Sequence, residues 1–125
     1  MKKRSLFLIL VLFTILISGC KYNFIVPEEV TPPNPDGEPV KYSTQIQPIF
    51  TNKCIFCHNT GGTAPNLEDG KSYNQVVPEH VNLTTPVESN IYKVPSSATT
   101  WHTKKYSSSE AALVLTWIEE GANKN

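Results

Sequence analysis

The stretch Cys54-Ile55-Phe56-Cys57-His58 decides the architecture of this chain. Two thiols three residues apart can form thioether bonds to the two vinyl groups of one porphyrin, and the histidine that follows can then bind the iron. C-x-x-C-H is the typical attachment sequence for a c-type haem. The sequence therefore predicts one covalent haem c, held by Cys54 and Cys57 and ligated on its proximal side by His58.

The first 19 residues have the form of a bacterial export signal. A basic start at residues 2–4 precedes an apolar run over residues 6–17, which is too short to favour a transmembrane helix. The segment ends in Ile17-Ser18-Gly19-Cys20, which resembles the lipobox of bacterial lipoproteins. We expect residues 1–19 to be a removed signal peptide and Cys20 to be lipidated. The protein would then be exported and lipid-anchored to a bacterial membrane, with its domain in the periplasm or at the cell surface; an uncleaved anchor helix is the alternative.

Residues 20–40 are predicted to be the lipidated cysteine followed by a proline-rich linker. Five prolines fall between Pro27 and Pro39 without helical periodicity. Where it is extended, such a segment spans about 3.1 Å per residue and acts as a spacer; a motif for a proline-recognising partner is the alternative. Residues 41–125 are left for one small domain, whose core a covalent macrocycle would enlarge.

The charge and the cysteines of the chain argue against a nucleic-acid-binding protein and against a disulfide. Removal of residues 1–19 leaves 8 basic residues against 11 acidic ones. No basic stripe is present, so no nucleic acid is expected as a partner. With Cys20 acylated and Cys54 and Cys57 bound to haem, no thiol remains for a disulfide.

The first helix is predicted from a capping signal and an apolar face. Thr44-Gln45-Ile46-Gln47 has the form of a capping box, and Pro48 implies a helix start or a bend at Gln47. The apolar face of this helix would carry Ile46, Ile49, Phe50 and Cys57.

The rest of the domain is also predicted to be helical. Residues 69–77 would form one short middle helix, and Ser89 would cap another. A second capping box at Ser107-Ser108-Ser109-Glu110 would begin the last helix, which Gly121 would end. We expect Trp117 to pack on Phe50 where the first and last helices cross.

Weaker motifs surround the haem sequence in a recognisable order: Ile46-Gln47-Pro48-Ile49-Phe50, Gly61-Gly62, Pro65-Asn66-Leu67, Ser89-Asn90-Ile91-Tyr92-Lys93 and Trp117-Ile118-Glu119-Glu120-Gly121-Ala122. Together they resemble the small single-haem cytochrome c domains of the planctomycete type, over residues 42–122. The resemblance implies an all-α, class I cytochrome c-like fold of three to five short helices wrapped around one covalent haem.

The resemblance also implies a role for Pro65. In class I-like cytochromes, a proline after the haem motif accepts a hydrogen bond on its carbonyl from the proximal imidazole, and Pro65 matches that place. Such a bond makes the ligand more electron-rich. A turn residue after two glycines is the alternative.

The distal ligand departs from the usual pattern. The only methionine is Met1, which leaves with the signal peptide, so the Met ligand common in this family is excluded. The segment that should hold the distal ligand contains His102, which we expect to bind the iron, with His80 as the alternative and a lysine ligand or an open position also considered. Without a haem, His102 would be taken as a surface histidine. Trp101 and Tyr106 would contact the haem or belong to the core.

These features favour a membrane-anchored monohaem cytochrome that carries single electrons between redox partner proteins and is not itself an enzyme. Bis-His ligation predicts low-spin iron and a lower potential than Met ligation gives. A five-coordinate haem that binds or senses a small gas or peroxide is the alternative. A dithiol redox site would need a βαβ context, and a zinc site would need two further ligands.

Overall fold

The computed structural model describes residues 37–125, which form helices joined by loops, with no strand among them. The predicted all-α class is thus confirmed for this part of the chain. A π-helical turn, Tyr42–Ile46, runs directly into helix α1. The four α-helices and one 3-10 turn are α1, Gln47–Lys53; α2, Ser72–Val76; the 3-10 turn, Pro86–Glu88; α3, Asn90–Lys93; and α4, Ser108–Glu119.

The signal peptide predicted at residues 1–19, the lipidated Cys20 and the linker as far as residue 36 lie outside the described residues. Within residues 37–125, no helix is both long enough and apolar enough to cross a membrane.

The first helix begins where Pro48 implies, but without the predicted capping box. Thr44 lies inside the π-helical turn, and no side chain caps either that turn or α1. The Gln47 amide instead donates to the Tyr42 carbonyl, so the preceding turn already supplies the partner that a cap would provide. Pro48 stands in the first turn of α1, where its missing N–H costs no helical hydrogen bond. The capping box at Thr44 is therefore wrong, and the helix start at Gln47 is confirmed.

Ser89 precedes α3 as predicted, but its hydroxyl does not cap that helix. The buried Ser89 Oγ accepts a hydrogen bond from the Asn82 amide at 2.8 Å. The side chain therefore closes the loop before α3, and its predicted capping role is wrong.

Helix α4 begins at the second capping box, which is confirmed. Ser107 Oγ accepts a hydrogen bond from the Glu110 amide (3.3 Å), and the Glu110 carboxylate accepts one from the Ser107 amide (2.7 Å). Gly121 follows the helix with a φ of 98°, which glycine adopts without a steric cost.

The core forms where α4 packs on the π-helical turn. The ring centroid of Tyr42 lies 5.3 Å from that of Trp117 and 6.4 Å from that of Phe50. Tyr42 therefore links these two rings, which the sequence predicted to pack on each other without it. All three side chains are buried. The other buried hydrophobic residues of the core are Val40, Ile46, Ile49, Cys54, Leu67, Val76, Ile91, Tyr106, Val114, Ile118 and Ala122.

Gln47 joins α1 to the loop that follows the cysteine motif. Its buried amide nitrogen donates to the Leu67 carbonyl (3.1 Å) and to Thr51 Oγ1 (3.2 Å). Its amide oxygen accepts from the hydroxyls of Tyr42 and Ser72. Burial raises the pKa of Tyr42 to about 12, which keeps that hydroxyl a neutral donor. Both ends of the buried amide are therefore satisfied, as burial of a polar group requires.

Substitution of Gln47 by Met should destabilise the domain by about 2 kcal/mol, because the Leu67 carbonyl and the Ser72 hydroxyl lose a buried partner. Urea unfolding measures this loss. Gln75→Met, at an exposed position of α2, is the matched control and should cost less than about 0.5 kcal/mol. A Gln47→Met loss no larger than that of the control would contradict the role of this amide.

Candidate cofactor site

Residues 54–58 form a single turn after the end of α1. The amides of Cys57 and His58 both donate to the Cys54 carbonyl, at 3.1 and 2.9 Å. Cys54 is buried, whereas Cys57 is exposed. The prediction that Cys57 lies on the apolar face of the first helix is wrong, because the helix ends at Lys53.

A second tight turn, which includes Gly61 and Gly62, follows the motif. The Gly62 amide donates to the Asn59 carbonyl (3.0 Å), and the Thr63 amide donates to the Cys57 carbonyl (2.8 Å). A Cβ on Gly62 would collide with the Cys57 carbonyl oxygen. The turn therefore requires glycine at this position.

His58 is oriented by the Pro65 carbonyl. Nδ1 of the imidazole lies 3.1 Å from the Pro65 carbonyl oxygen, so the hydrogen bond suggested by the resemblance is present. A carbonyl can only accept, which assigns the imidazole proton to Nδ1 and leaves the lone pair on Nε2. The Leu67 amide donates to the His58 carbonyl at 2.8 Å and closes the loop between them.

His102 is oriented in the same way. Its Nδ1 lies 2.7 Å from the Lys104 carbonyl oxygen, so its Nε2 also carries a free lone pair. The sequence did not predict the role of Lys104, because the acceptor is its backbone carbonyl, and every residue type has one.

The spacing of the two imidazoles suits one shared metal ion. Their ring centroids are 6.1 Å apart, and the ring planes are tilted by 33°. Metal–imidazole bonds are about 2 Å long, so two rings bound on opposite sides of one ion have centroids about 6 Å apart. His58 and His102 are 44 positions apart in the chain, and the fold brings them to this distance.

Both histidines line a cavity of about 340 Å³. Cofactor and small-molecule sites span roughly 300–1,000 Å³, and this cavity lies at the lower end of that range. Cys57 is not among its lining residues. The other residues predicted for the site within the domain all line it: Cys54, His58, Pro65, His80, Trp101, His102 and Tyr106. The wall is completed by apolar residues to which the sequence assigned no role in the site: Ala64, Leu67, Ile91, Val94 and Pro95.

Trp101 and Tyr106 differ in their surroundings. Trp101 is 72% exposed, and its ring stands nearly perpendicular to that of His102, with centroids 5.8 Å apart. Tyr106 is buried, and its hydroxyl donates to the Ile91 carbonyl at 2.9 Å. Burial raises the pKa of Tyr106 well above its usual value, so the wall of the cavity stays neutral at this side chain.

His80 reaches the same cavity, but its ring is not oriented. Its backbone carbonyl accepts a hydrogen bond from the Ile91 amide (3.1 Å), while no residue among 37–125 forms a hydrogen bond with its imidazole. Metal-binding histidines usually donate their second ring N–H to a fixed acceptor. The geometry therefore favours His102 over His80 as the partner of His58.

The electrostatics of Cys54 do not match a dithiol redox site. Burial, together with the nearby Glu110 carboxylate, raises the pKa of the Cys54 thiol to about 11. Reactive cysteines of C-x-x-C redox sites have lowered pKa values, because the thiolate is the nucleophile. In the described part of the chain, no three His, Cys, Asp or Glu side chains are grouped to hold a metal ion, so a zinc site with four protein ligands has no ligand set there.

Comparisons with protein-family models, with curated proteins and with solved structures each found no match for this chain. The chemistry of the cavity is therefore inferred from its own residues.

The loop that carries Pro65 is held by a polar cluster around Glu68. The Glu68 carboxylate accepts hydrogen bonds from the Lys71 ammonium (2.8 Å), the Thr60 hydroxyl (2.6 Å) and the Asn66 amide (3.2 Å). These bonds, led by that of Lys71, lower the pKa of Glu68 to about 2. The cluster spans the loop on which the bond between His58 and Pro65 depends.

Acid should weaken this cluster. The pKa of the Glu68 carboxyl is about 4.5 in the unfolded chain and about 2 in the fold. The ionised carboxylate therefore contributes its full stabilisation of the fold above pH ~4.5, and this contribution is lost as the pH falls towards 2. Glu68→Gln should therefore lower the urea midpoint at pH ~6 by more than it does at pH ~3, and by a modest amount because the cluster is partly exposed. The same loss at both pH values would contradict this role of Glu68.

Proposed function

We propose that residues 41–125 form a class I-like c-type cytochrome domain that binds one haem c covalently and carries single electrons. The observation that carries the proposal is the pair of imidazoles, His58 and His102. Their centroid distance of 6.1 Å suits one metal ion, and a carbonyl holds the proton of each ring on Nδ1. The wall of the same cavity includes Cys54, the first cysteine of the attachment motif.

Four side chains would hold the cofactor. Cys54 and Cys57 would form the thioether bonds, His58 would be the proximal ligand, and His102 would be the distal ligand. When bound, the haem supplies a ferric/ferrous couple that accepts and releases one electron at a time.

The surroundings of the two histidines would tune this couple. Hydrogen bonds from Nδ1 to the carbonyls of Pro65 and Lys104 would make both imidazoles more electron-rich ligands. Two nitrogen ligands favour a lower potential than a His/Met pair. With His58 and His102 both holding the iron, the domain would exchange electrons with redox partner proteins rather than act on a substrate.

The anchor belongs to the same proposal. The sequence Ile17-Ser18-Gly19-Cys20 supports acylation of Cys20 at a bacterial membrane after export. The proline-rich residues 20–40 would then act as a spacer between the lipid surface and the domain.

Covalent attachment is tested by haem staining after denaturing electrophoresis, in a bacterial host that matures c-type cytochromes. Wild type should retain the stain, and Cys54→Ala and Cys57→Ala should each lose the two-bond attachment and most of the stain, because each contributes one thioether. Cys20→Ser is the matched control: it should stain fully while moving from the membrane fraction to the soluble fraction. An unstained wild type would contradict the proposal.

The distal ligand is tested by low-temperature electron paramagnetic resonance of the ferric protein. Wild type and His80→Ala should be low-spin, whereas His102→Ala should become high-spin and bind carbon monoxide at once when reduced. Unchanged low-spin iron in His102→Ala would refute the distal assignment. High-spin iron in wild type would instead favour a five-coordinate haem that binds a gas or peroxide.

A further inference from the structure

His102 stands on the loop formed by residues 94–107, between α3 and α4. The base of this loop is closed by hydrogen bonds from the Tyr106 amide to the Pro95 carbonyl (3.0 Å) and from Thr99 Oγ1 to the Lys93 carbonyl (2.9 Å). Both bonds join the loop to itself or to α3. They shape the loop but do not fix its distance from the turn that carries His58.

Lys53 bridges that distance. It is the last residue of α1 and directly precedes the cysteine motif. Its ammonium donates to the Lys105 carbonyl (3.4 Å) and to the Glu110 carboxylate (2.5 Å). Within residues 37–125, the bond to Lys105 is the one hydrogen bond between residues 47–58 and the loop that carries His102.

The Glu110 carboxylate connects this bridge to the start of α4. It accepts one hydrogen bond from the Lys53 ammonium and another from the Ser107 amide of the capping box. Burial opposes its ionisation, but the hydrogen bonds from Lys53 and Ser107 outweigh burial and lower the pKa of Glu110. The side chains of Lys53 and Glu110 are 35% and 22% exposed, so the pair is screened less than a fully exposed one.

We propose that Lys53 is a positioning residue for the distal ligand. By binding Glu110 and the Lys105 carbonyl, it holds the loop at the distance from residues 54–58 at which His102 and His58 share one ion. Its contact at Lys105 lies one residue beyond the Lys104 carbonyl that orients the His102 ring. This inference rests on the proposed function for the identity of the ion.

The test uses the mature haem protein and the rate at which carbon monoxide binds to its ferrous form. Binding requires His102 to leave the iron, so a less firmly held loop gives a faster rate. Lys53→Met should raise this rate about fivefold, the factor expected from the loss of a half-buried charged contact. Lys53→Arg retains the positive charge and the hydrogen-bond donors, so it should bind carbon monoxide at close to the wild-type rate. Lys41→Met makes the same change at an exposed lysine and should leave the rate unchanged.

Glu110→Gln provides a second variant. It keeps an oxygen acceptor for the Ser107 amide but removes the ion pair, so its rate should lie between those of wild type and Lys53→Met. If Lys53→Met does not mature, a wild-type rate in Glu110→Gln overturns the proposal.

The outcomes separate the two claims. A low-spin wild type whose rate is the same as that of Lys53→Met overturns the positioning role and leaves the proposed function intact. Lower unfolding stability in Lys53→Met with an unchanged rate also overturns it, because Lys53 would then act on the fold alone. A high-spin wild type that binds carbon monoxide at once overturns the ligation by His58 and His102 itself.

Discussion

Two backbone carbonyls determine what the two histidines of the cavity can do. Because a carbonyl only accepts hydrogen bonds, Pro65 and Lys104 hold the imidazole protons of His58 and His102 on Nδ1. Each Nε2 is left with a lone pair, and a centroid distance of 6.1 Å suits a single ion between the rings. Any contact that moves either carbonyl changes the orientation of an imidazole. The loops that carry these carbonyls are therefore as important to the site as the histidines.

The two loops are held by different physical means. The loop after the cysteine motif is tied to α1 by the buried amide of Gln47, a neutral hydrogen bond that salt does not screen. The exposed Glu68 cluster adds to it. The loop that carries His102 depends instead on the half-buried charges of Lys53 and Glu110. The side of the cavity that carries His102 is therefore the side more sensitive to substitution of a single charged residue.

The sequence predicted features that are encoded locally. The capping box at Ser107 follows from two residue types three positions apart, and the all-α class follows from such caps and from apolar periodicity. The structure confirms both for residues 37–125. The capping roles predicted for Thr44 and Ser89 are wrong. Thr44 lies inside a π-helical turn, and the Ser89 hydroxyl binds the amide of Asn82 in the preceding loop. The central place of Tyr42 between two rings and the carbonyl of Lys104 depend on tertiary contacts, which no local pattern encodes. The C-x-x-C-H motif predicts a haem site, and the sequence also proposes His102 as the partner of His58; the distance of 6.1 Å between the two ring centroids is what the fold adds.

The central claim is that His58 and His102 bind one iron. Anomalous diffraction at the iron absorption edge, from crystals of the mature protein, tests it most directly. We predict a single iron peak between the two rings, about 3 Å from each centroid and bonded to Nε2 of both histidines. An iron peak bonded to His58 with His80, a lysine or no protein ligand opposite would contradict the claim, as would the absence of any iron peak.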